Sequence, residues 1–213
     1  MDFESAPHLL IAGATGTGKS VLAHNILLTL LAHNDPASLK LILCDTKVVE
    51  FGCYNGISNL LVPVCSDPKK ITGALCWAVG EIQNRIRTFC AANVRSLQAY
   101  NNYAWEHFIS DDGMPEVLII VDDLCTVIST CPDAAEYAQR IIQDGRFVGI
   151  HLIGITQMPT WKEMKRISLS ISNKVVFSFS SKSEESLLIG TTKYTCRGGT
   201  GSGVFSNGKL TQQ

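Results

Sequence analysis

Short, wholly apolar runs alternate along this chain with longer stretches in which apolar residues return every three or four positions. His8-Leu9-Leu10-Ile11-Ala12 is the first run, and Val21, Leu22, Ile26, Leu27, Leu30 and Leu31 follow it at helical spacing. Leu39 to Asp45 reads as a second strand and Leu60 to Val64 as a short third. Asp67-Pro68 then opens a long helix, with Asp as N-cap and Pro in the first turn. Its buried stripe is Ile71, Leu75, Ala78, Ile82, Ile86 and Phe89. Val117 to Val121 is a central strand, and Pro132-Asp133 opens a helix through Ala138, Ile141 and Ile142. Val148 to Thr156 and Lys174 to Phe179 are further strands. Strands that are apolar throughout must be covered on both faces. The pattern therefore predicts an α/β fold, a mostly parallel sheet with helices on both faces.

Two stretches break the pattern. Asn101 to Pro115 is polar and rich in turn residues, which predicts a surface loop. Arg197 to Gly208 is Gly-rich. Gly199-Thr200-Gly201-Ser202-Gly203 has no strand before it and no helix after it, so it predicts a turn or hairpin and not a phosphate loop.

The loop between the first strand and the first helix carries the clearest chemistry. Gly13-Ala14-Thr15-Gly16-Thr17-Gly18-Lys19-Ser20 fits G-x-x-x-x-G-K-[ST], the P-loop pattern, in the strand–loop–helix context that the pattern requires. Its glycines let successive backbone N–H groups turn inward toward phosphate oxygens, and the helix adds its positive end. Residues 13–20 with Val21 are the expected nucleotide-binding set. Lys19 is expected to reach the β- and γ-phosphates of ATP and the Ser20 hydroxyl to ligate Mg²⁺. Such a loop needs a carboxylate at a neighbouring strand end, and Asp122-Asp123 after Val117–Val121 supplies it. Asp122 is the expected metal-side acid. Asp123 stands where many such ATPases place a Glu that orients water. Being one methylene shorter, it leaves slow hydrolysis as an alternative. Thr156-Gln157 ends the next strand, where Gln157 could sense the γ-phosphate or simply begin a turn.

Composition adds bounds. The 213 residues, 46% hydrophobic and 17% charged, suit one well-packed domain over 1–213 with a hairpin-like tail at about 197–213. No apolar run approaches the length of about 18 residues that spans a bilayer, and the acidic start Met1-Asp2-Phe3-Glu4 is unlike a signal peptide. The expected location is cytoplasmic. A net charge of −1 means that any nucleic-acid contact must be local or assembled from several subunits. Eight cysteines without a C-x-x-C pair, mostly in apolar runs, predict buried reduced thiols.

Several segments together resemble the FtsK/SpoIIIE family of DNA-translocating ATPases. They are Pro7 to Gly13 leading into the P-loop, and Asp45-Thr46-Lys47 with Glu50, which matches D-P-K-x-x-E except for Thr. Gly149-Ile150-His151-Leu152 with Thr156-Gln157-x-Pro159 is similar to G-I-H-L…T-Q-R-P, and Ser180-Ser181-Lys182 to S-S-K. The resemblance runs from about Pro7 to about Gly208. It implies a P-loop NTPase with a RecA-like core that forms a homo-oligomeric ring, usually a hexamer, around double-stranded DNA. It implies ATP bound between subunits and an arginine supplied in trans, for which Arg146 is the candidate, against a solvated helix-end arginine. Lys162, Lys165 and Arg166, in the basic patch after Trp161, fall where the family places pore-facing residues. They are the candidate DNA contacts, against a solvated helix face. Asp45, Lys47 and Glu50 suggest a polar network near the subunit interface.

Departures are Asp123 for Glu, Met158 for the Arg of T-Q-R-P, and Lys174 where Arg is common. Family members are often tethered to the inner face of the membrane and carry further domains, so the expectation is an excised domain or a short mobile-element relative. The expected function is a motor that hydrolyses ATP to move double-stranded DNA along non-specific phosphate contacts. The alternatives are an ATPase of type VII secretion or of conjugative transfer, and a weakly hydrolysing nucleotide-binding module.

Overall fold

The structure is a computed structural model describing residues 3, 5–109, 113–157, 162–179, 181–189, 199–207 and 211–212. Its strands are β1 (His8–Ala12), β2 (Leu39–Asp45), β3 (Glu116–Asp122), β4 (Ile150–Thr156), β5 (Asn173–Phe177), β6 (Gly203–Ser206) and β7 (Thr211–Gln212). Its helices are α1 (Lys19–His33), α2 (Pro68–Ala91), α3 (Leu97–Glu106), α4 (Leu124–Thr130), α5 (Asp133–Asp144), α6 (Lys162–Ser170) and α7 (Lys182–Ile189). One sheet runs in the order β2-β3-β4-β1-β5-β6-β7. The first five strands are parallel; β6 and β7 add antiparallel.

Alternation along the strands builds two cores. In β3, Val117, Ile119 and Val121 enter one layer, with the apolar sides of α2, α4, α5 and α6. Leu118 and Ile120 enter the other, with α1 and the Phe51–Tyr54 turn. Because successive side chains point to opposite faces, a parallel strand buried on both sides must be apolar at every position. The expected fold class is therefore present: a mostly parallel sheet covered on both faces.

Local signals act as expected at α2. Asp67 accepts a hydrogen bond from the Lys69 amide at 2.7 Å, and Pro68 occupies the first helical position. Four expectations need correction. Ile86, expected in the buried stripe of α2, is exposed, and Arg85 is buried beside it instead. Asn101–Pro115 is not wholly a loop, because Leu97–Glu106 is helical, capped by Ser96 and anchored by buried Leu97 and Ala104. Among its described residues the polar run holds one buried position, Ala104. Leu60–Val64 makes isolated bridges, Leu41 with Leu60 and Cys44 with Cys65, instead of a full strand. Pro63 and the bends around it interrupt its ladder. The described cysteines are free, but only Cys44 and Cys125 are buried, while Cys53, Cys76 and Cys90 are exposed. Cys196 lies outside the described residues.

Packing makes two glycines respond in opposite senses. Gly145, between α5 and β4, leaves no room for a methyl group: a Cβ there would strike the Ile150 and Ile141 carbonyl oxygens. Gly73, within α2, would meet nothing. Gly145→Ala should lower unfolding free energy by about 1–3 kcal/mol. Gly73→Ala should raise it by about 0.5–1 kcal/mol. Urea titrations of both variants check the pair.

Candidate nucleotide site

In an open parallel sheet, the loops at the carboxyl ends of the strands form the natural crevice. Here they converge around Gly13–Ser20. The Gly13 amide donates to the Thr156 carbonyl at the end of β4, and the Ala14 amide to the Ser178 carbonyl just past β5. Gly16 and Gly18 take positive φ values of 77° and 113°, which side chains disfavour, so the loop's path requires glycine there. Gly18 also has a close neighbour. The Gly201 amide donates to the Thr17 carbonyl at 2.9 Å, and a Cβ on Gly18 would sit 3.3 Å from the Gly201 Cα. The Gly-rich stretch before β6 thus packs against the P-loop.

The Ala14 carbonyl accepts from both the Lys19 ammonium at 2.7 Å and the Thr17 hydroxyl at 2.8 Å. Lys19 is buried. Burial pulls its pKa down, Asp122 holds it up, and Lys47 lowers it again. Ser20 Oγ donates to Glu50 Oε1 at 2.9 Å. The other Glu50 oxygen lies 3.6 Å from His24 Nε2, and His24 Nδ1 bonds the Tyr54 hydroxyl at 2.8 Å. Val21, in the first turn of α1, is 63% exposed.

Asp45 and Asp122 are register partners at the ends of β2 and β3. Asp45 is fully buried and accepts from the amides of Lys47, Glu50 and Phe51 at 3.0, 2.7 and 3.1 Å. Asp122 is buried too, and burial pushes its pKa up to about 6, with Asp45, Glu50 and Asp123 adding to the rise and Lys47 opposing it. Asp123 takes a left-handed conformation at the start of α4. Its Oδ2 accepts from the Thr126 hydroxyl at 2.8 Å and lies 3.9 Å from Lys47 Nζ.

These residues fit the groups the sequence implies. Ser20, Asp122 and Glu50 offer hard oxygen donors, the type Mg²⁺ prefers, and Mg²⁺ takes most of its shell from phosphate and water. Gly13–Ser20 and Asp122 would hold the metal–nucleotide pair, with Lys19 beside it. Gln157 joins the same site, since its Oε1 accepts from the Thr15 hydroxyl at 2.8 Å.

Arg146 lies elsewhere. It is exposed in the short turn Arg146–Val148 before β4, at the amino ends of the strands near His8. Seven residues of β4, a length of about 20 Å, separate that end from the P-loop, so Arg146 cannot serve its own chain's site. Lys162, Lys165 and Arg166 are exposed on α6, while Met164 and Ile167 are buried beneath. Met158, Pro159, Trp161 and Ser180 lie outside the described residues.

Two contributors were not foreseen. Glu50 was legible as part of a motif, but its bond to Ser20 was not. His24 carries a faint signal, four residues after Ser20 and so on the same helical face.

The FtsK/SpoIIIE family model matches residues 1–161. The DNA translocase FtsK of Clostridium acetobutylicum is 38% identical over 193 residues, 90% of this chain and 25% of the relative. The DNA translocase SftA of Bacillus subtilis is 38% identical over 191 residues, 89% of this chain and 20% of the relative. The chain thus spans a quarter or less of the length of these curated relatives. Among solved structures, the cytoplasmic domain of the Thermomonospora curvata type VII secretion ATPase EccC aligns with a TM-score of 0.81 at 24% identity, over 97% of this chain and 24% of that one. The conjugation coupling protein TcpA, in its monomer form with ATPγS, aligns with a TM-score of 0.81 at 20% identity, over 99% of this chain and 60% of that one. These likenesses show a shared fold.

The raised Asp122 pKa has two consequences of opposite sign. A carboxyl that holds its proton more tightly when folded adds stability below its ordinary value of 3.8, and that stability is lost as pH rises through about 6. Asp122→Asn should therefore raise the melting temperature of the nucleotide-free protein at neutral pH. Metal binding needs the ionised form. The Mg²⁺-dependent part of nucleotide affinity should fall about tenfold between pH about 7 and about 5. In Asp122→Asn that affinity should be weak at every pH. Thermal melts and nucleotide titrations with and without Mg²⁺ check both.

Proposed function

The chain belongs to the FtsK/SpoIIIE family, and on that premise we propose that it is an ATP-hydrolysing motor domain that moves double-stranded DNA. The observation that carries the reading is the convergence of Lys19, Ser20, Asp122, Asp123 and Gln157 at the carboxyl edge of one sheet. The names of the curated relatives, DNA translocases, favour DNA as the polymer. The match to a cytoplasmic domain favours the cytoplasm as the place of action.

In this reading Lys19 exchanges the Ala14 carbonyl for the β- and γ-phosphates. The P-loop amides and the N-terminus of α1 hold the remaining phosphate charge. Ser20 and Asp122 hold Mg²⁺, which when bound neutralises charge on the phosphates. Asp123 orients the attacking water, and Thr126 and Lys47 fix the direction of its carboxylate. Gln157, tied to Thr15, couples the end of β4 to the γ-phosphate position. Arg146 serves the site of a neighbouring copy, which places the protein in a closed head-to-tail ring, six copies being the expected number. Lys162, Lys165 and Arg166, raised on the outer face of α6, follow the DNA phosphates. Repetition around the ring multiplies a patch that is weak in one copy.

A second reading rests on Asp123. Its carboxylate is short and already engaged by Thr126, which favours a module that binds ATP and hydrolyses it slowly. Asp123→Glu separates the two, because a gain in turnover of about tenfold or more would mean that carboxylate reach limits the rate.

The motor reading is checked by ATP hydrolysis with and without double-stranded DNA, at low salt and rising protein concentration. Stimulation by DNA that grows with concentration and vanishes in Lys19→Ala is the expected result. Lys162→Ala with Lys165→Ala should weaken stimulation without changing the DNA-free rate. A Lys19-dependent rate indifferent to DNA would point instead to the protein-handling branch of the family.

A further inference from the structure

Beside the nucleotide site, two of the described cysteines stand opposite each other on adjacent chain segments. The Cys65 amide donates to the Leu43 carbonyl at 2.9 Å, and the Asp45 amide donates to the Cys65 carbonyl at 2.8 Å. These bonds bracket Cys44 and make Cys44 and Cys65 partners of a parallel bridge. Partners of such a bridge direct their side chains to the same face. Neighbouring strands run about 5 Å apart, inside the Cα separation of about 4.4–6.8 Å that a disulfide spans. Both side chains enter the same core layer, Cys44 within it and Cys65 packed against it.

Their surroundings differ in a useful way. Cys44 has no exposed surface. Cys65 is half-buried and lines a cavity of about 700 Å³, walled by Val62, Pro63, Lys70, Ala74 and Trp77. The Cys44 thiol hydrogen-bonds beside it and draws the Cys65 pKa down, with burial opposing and Lys70 assisting. A small oxidant can therefore reach one sulfur from the cavity while the second waits behind it.

We propose that Cys65 is an oxidation site for small peroxides and that Cys44 is its resolving thiol, the pair closing to a reversible disulfide. The Cys65 sulfur attacks the peroxide O–O bond; an S–O bond forms, the O–O bond breaks, and hydroxide leaves and takes up the thiol proton as water. The Cys44 sulfur then attacks the sulfenic sulfur; the S–S bond forms, the S–O bond breaks, and a second water carries off the Cys44 proton. Two thiols are oxidised and one peroxide is reduced. The link encloses residues 45–64, the segment that carries Asp45, Lys47 and Glu50. It would fasten to the end of β2 the segment whose Glu50 accepts from Ser20 of the P-loop.

The test is limited hydrogen peroxide on the whole chain, followed by alkylation of remaining thiols and peptide mass mapping. The expected product is a Cys44–Cys65 peptide lighter by two hydrogens, formed about tenfold faster than oxidation of Cys53, Cys76 or Cys90 and reversed by dithiothreitol. Cys44→Ser should leave a Cys65 sulfenic acid that dimedone traps. Cys65→Ser, a change at the cavity wall, should abolish the link even if Cys44→Ser does not fold. Oxidation of Cys53, Cys76 or Cys90 ahead of the pair, or a Cys65 sulfenic acid that persists with Cys44 present, overturns the proposal.

Discussion

The buried carboxylate of Asp45 is the interaction around which the site is arranged. It sits where β2 stops and the sheet no longer supplies partners for the chain. A charge taken out of water there must be met by hydrogen bonds, and three backbone amides meet it. Gathering those amides folds residues 47–51 back over the strand end. That fold brings Glu50 to Ser20 and Lys47 to Asp123, around a second carboxylate, Asp122, that the β2–β3 register sets beside the first. The crowding of acids adds to the rise that burial gives Asp122, and Lys19 and Lys47 are the cations that make the crowding tolerable.

This arrangement explains why the residues of the candidate site come from distant parts of the chain. The P-loop follows β1, Asp122 ends β3 and Gln157 follows β4, so each reaches the crevice at the end of a different strand. Sheet register aligns them: Asp45 opposite Asp122, and Ala12 opposite Thr156. The chemistry depends on strand pairing more than on any single loop, and apolar side chains on both faces hold that pairing.

Much of this was legible in the sequence because strong local rules and the global fold agree. The P-loop has its strand and helix, Asp67 and Pro68 mark the start of α2, and doubly buried strands read as unbroken apolar runs. Failures came where tertiary contacts decide. α3 carries two buried residues in a polar stretch, too few to make a visible stripe, and Ser96 rather than periodicity marks its start. The Glu50–Ser20 bond joins residues on separate elements, which no spacing rule reaches. Arg85 is of the same kind: it sits buried within α2 and donates to the Pro115 and Val148 carbonyls at the amino ends of β3 and β4. In the sequence it looks like one more helical charge.

The bond from the Gly201 amide to the Thr17 carbonyl bears on where this unit should be cut. The family model's match ends at residue 161, short of the 193 residues over which a curated relative aligns. Yet β5 pairs directly with β1, and β6 pairs with β5. A fragment trimmed to the family-model segment would expose the edge of β1 and release the strap that crosses the P-loop. The boundary of the family model and the boundary drawn by mechanics therefore differ, and a fragment cut for biochemistry or grafted into another scaffold should follow the second.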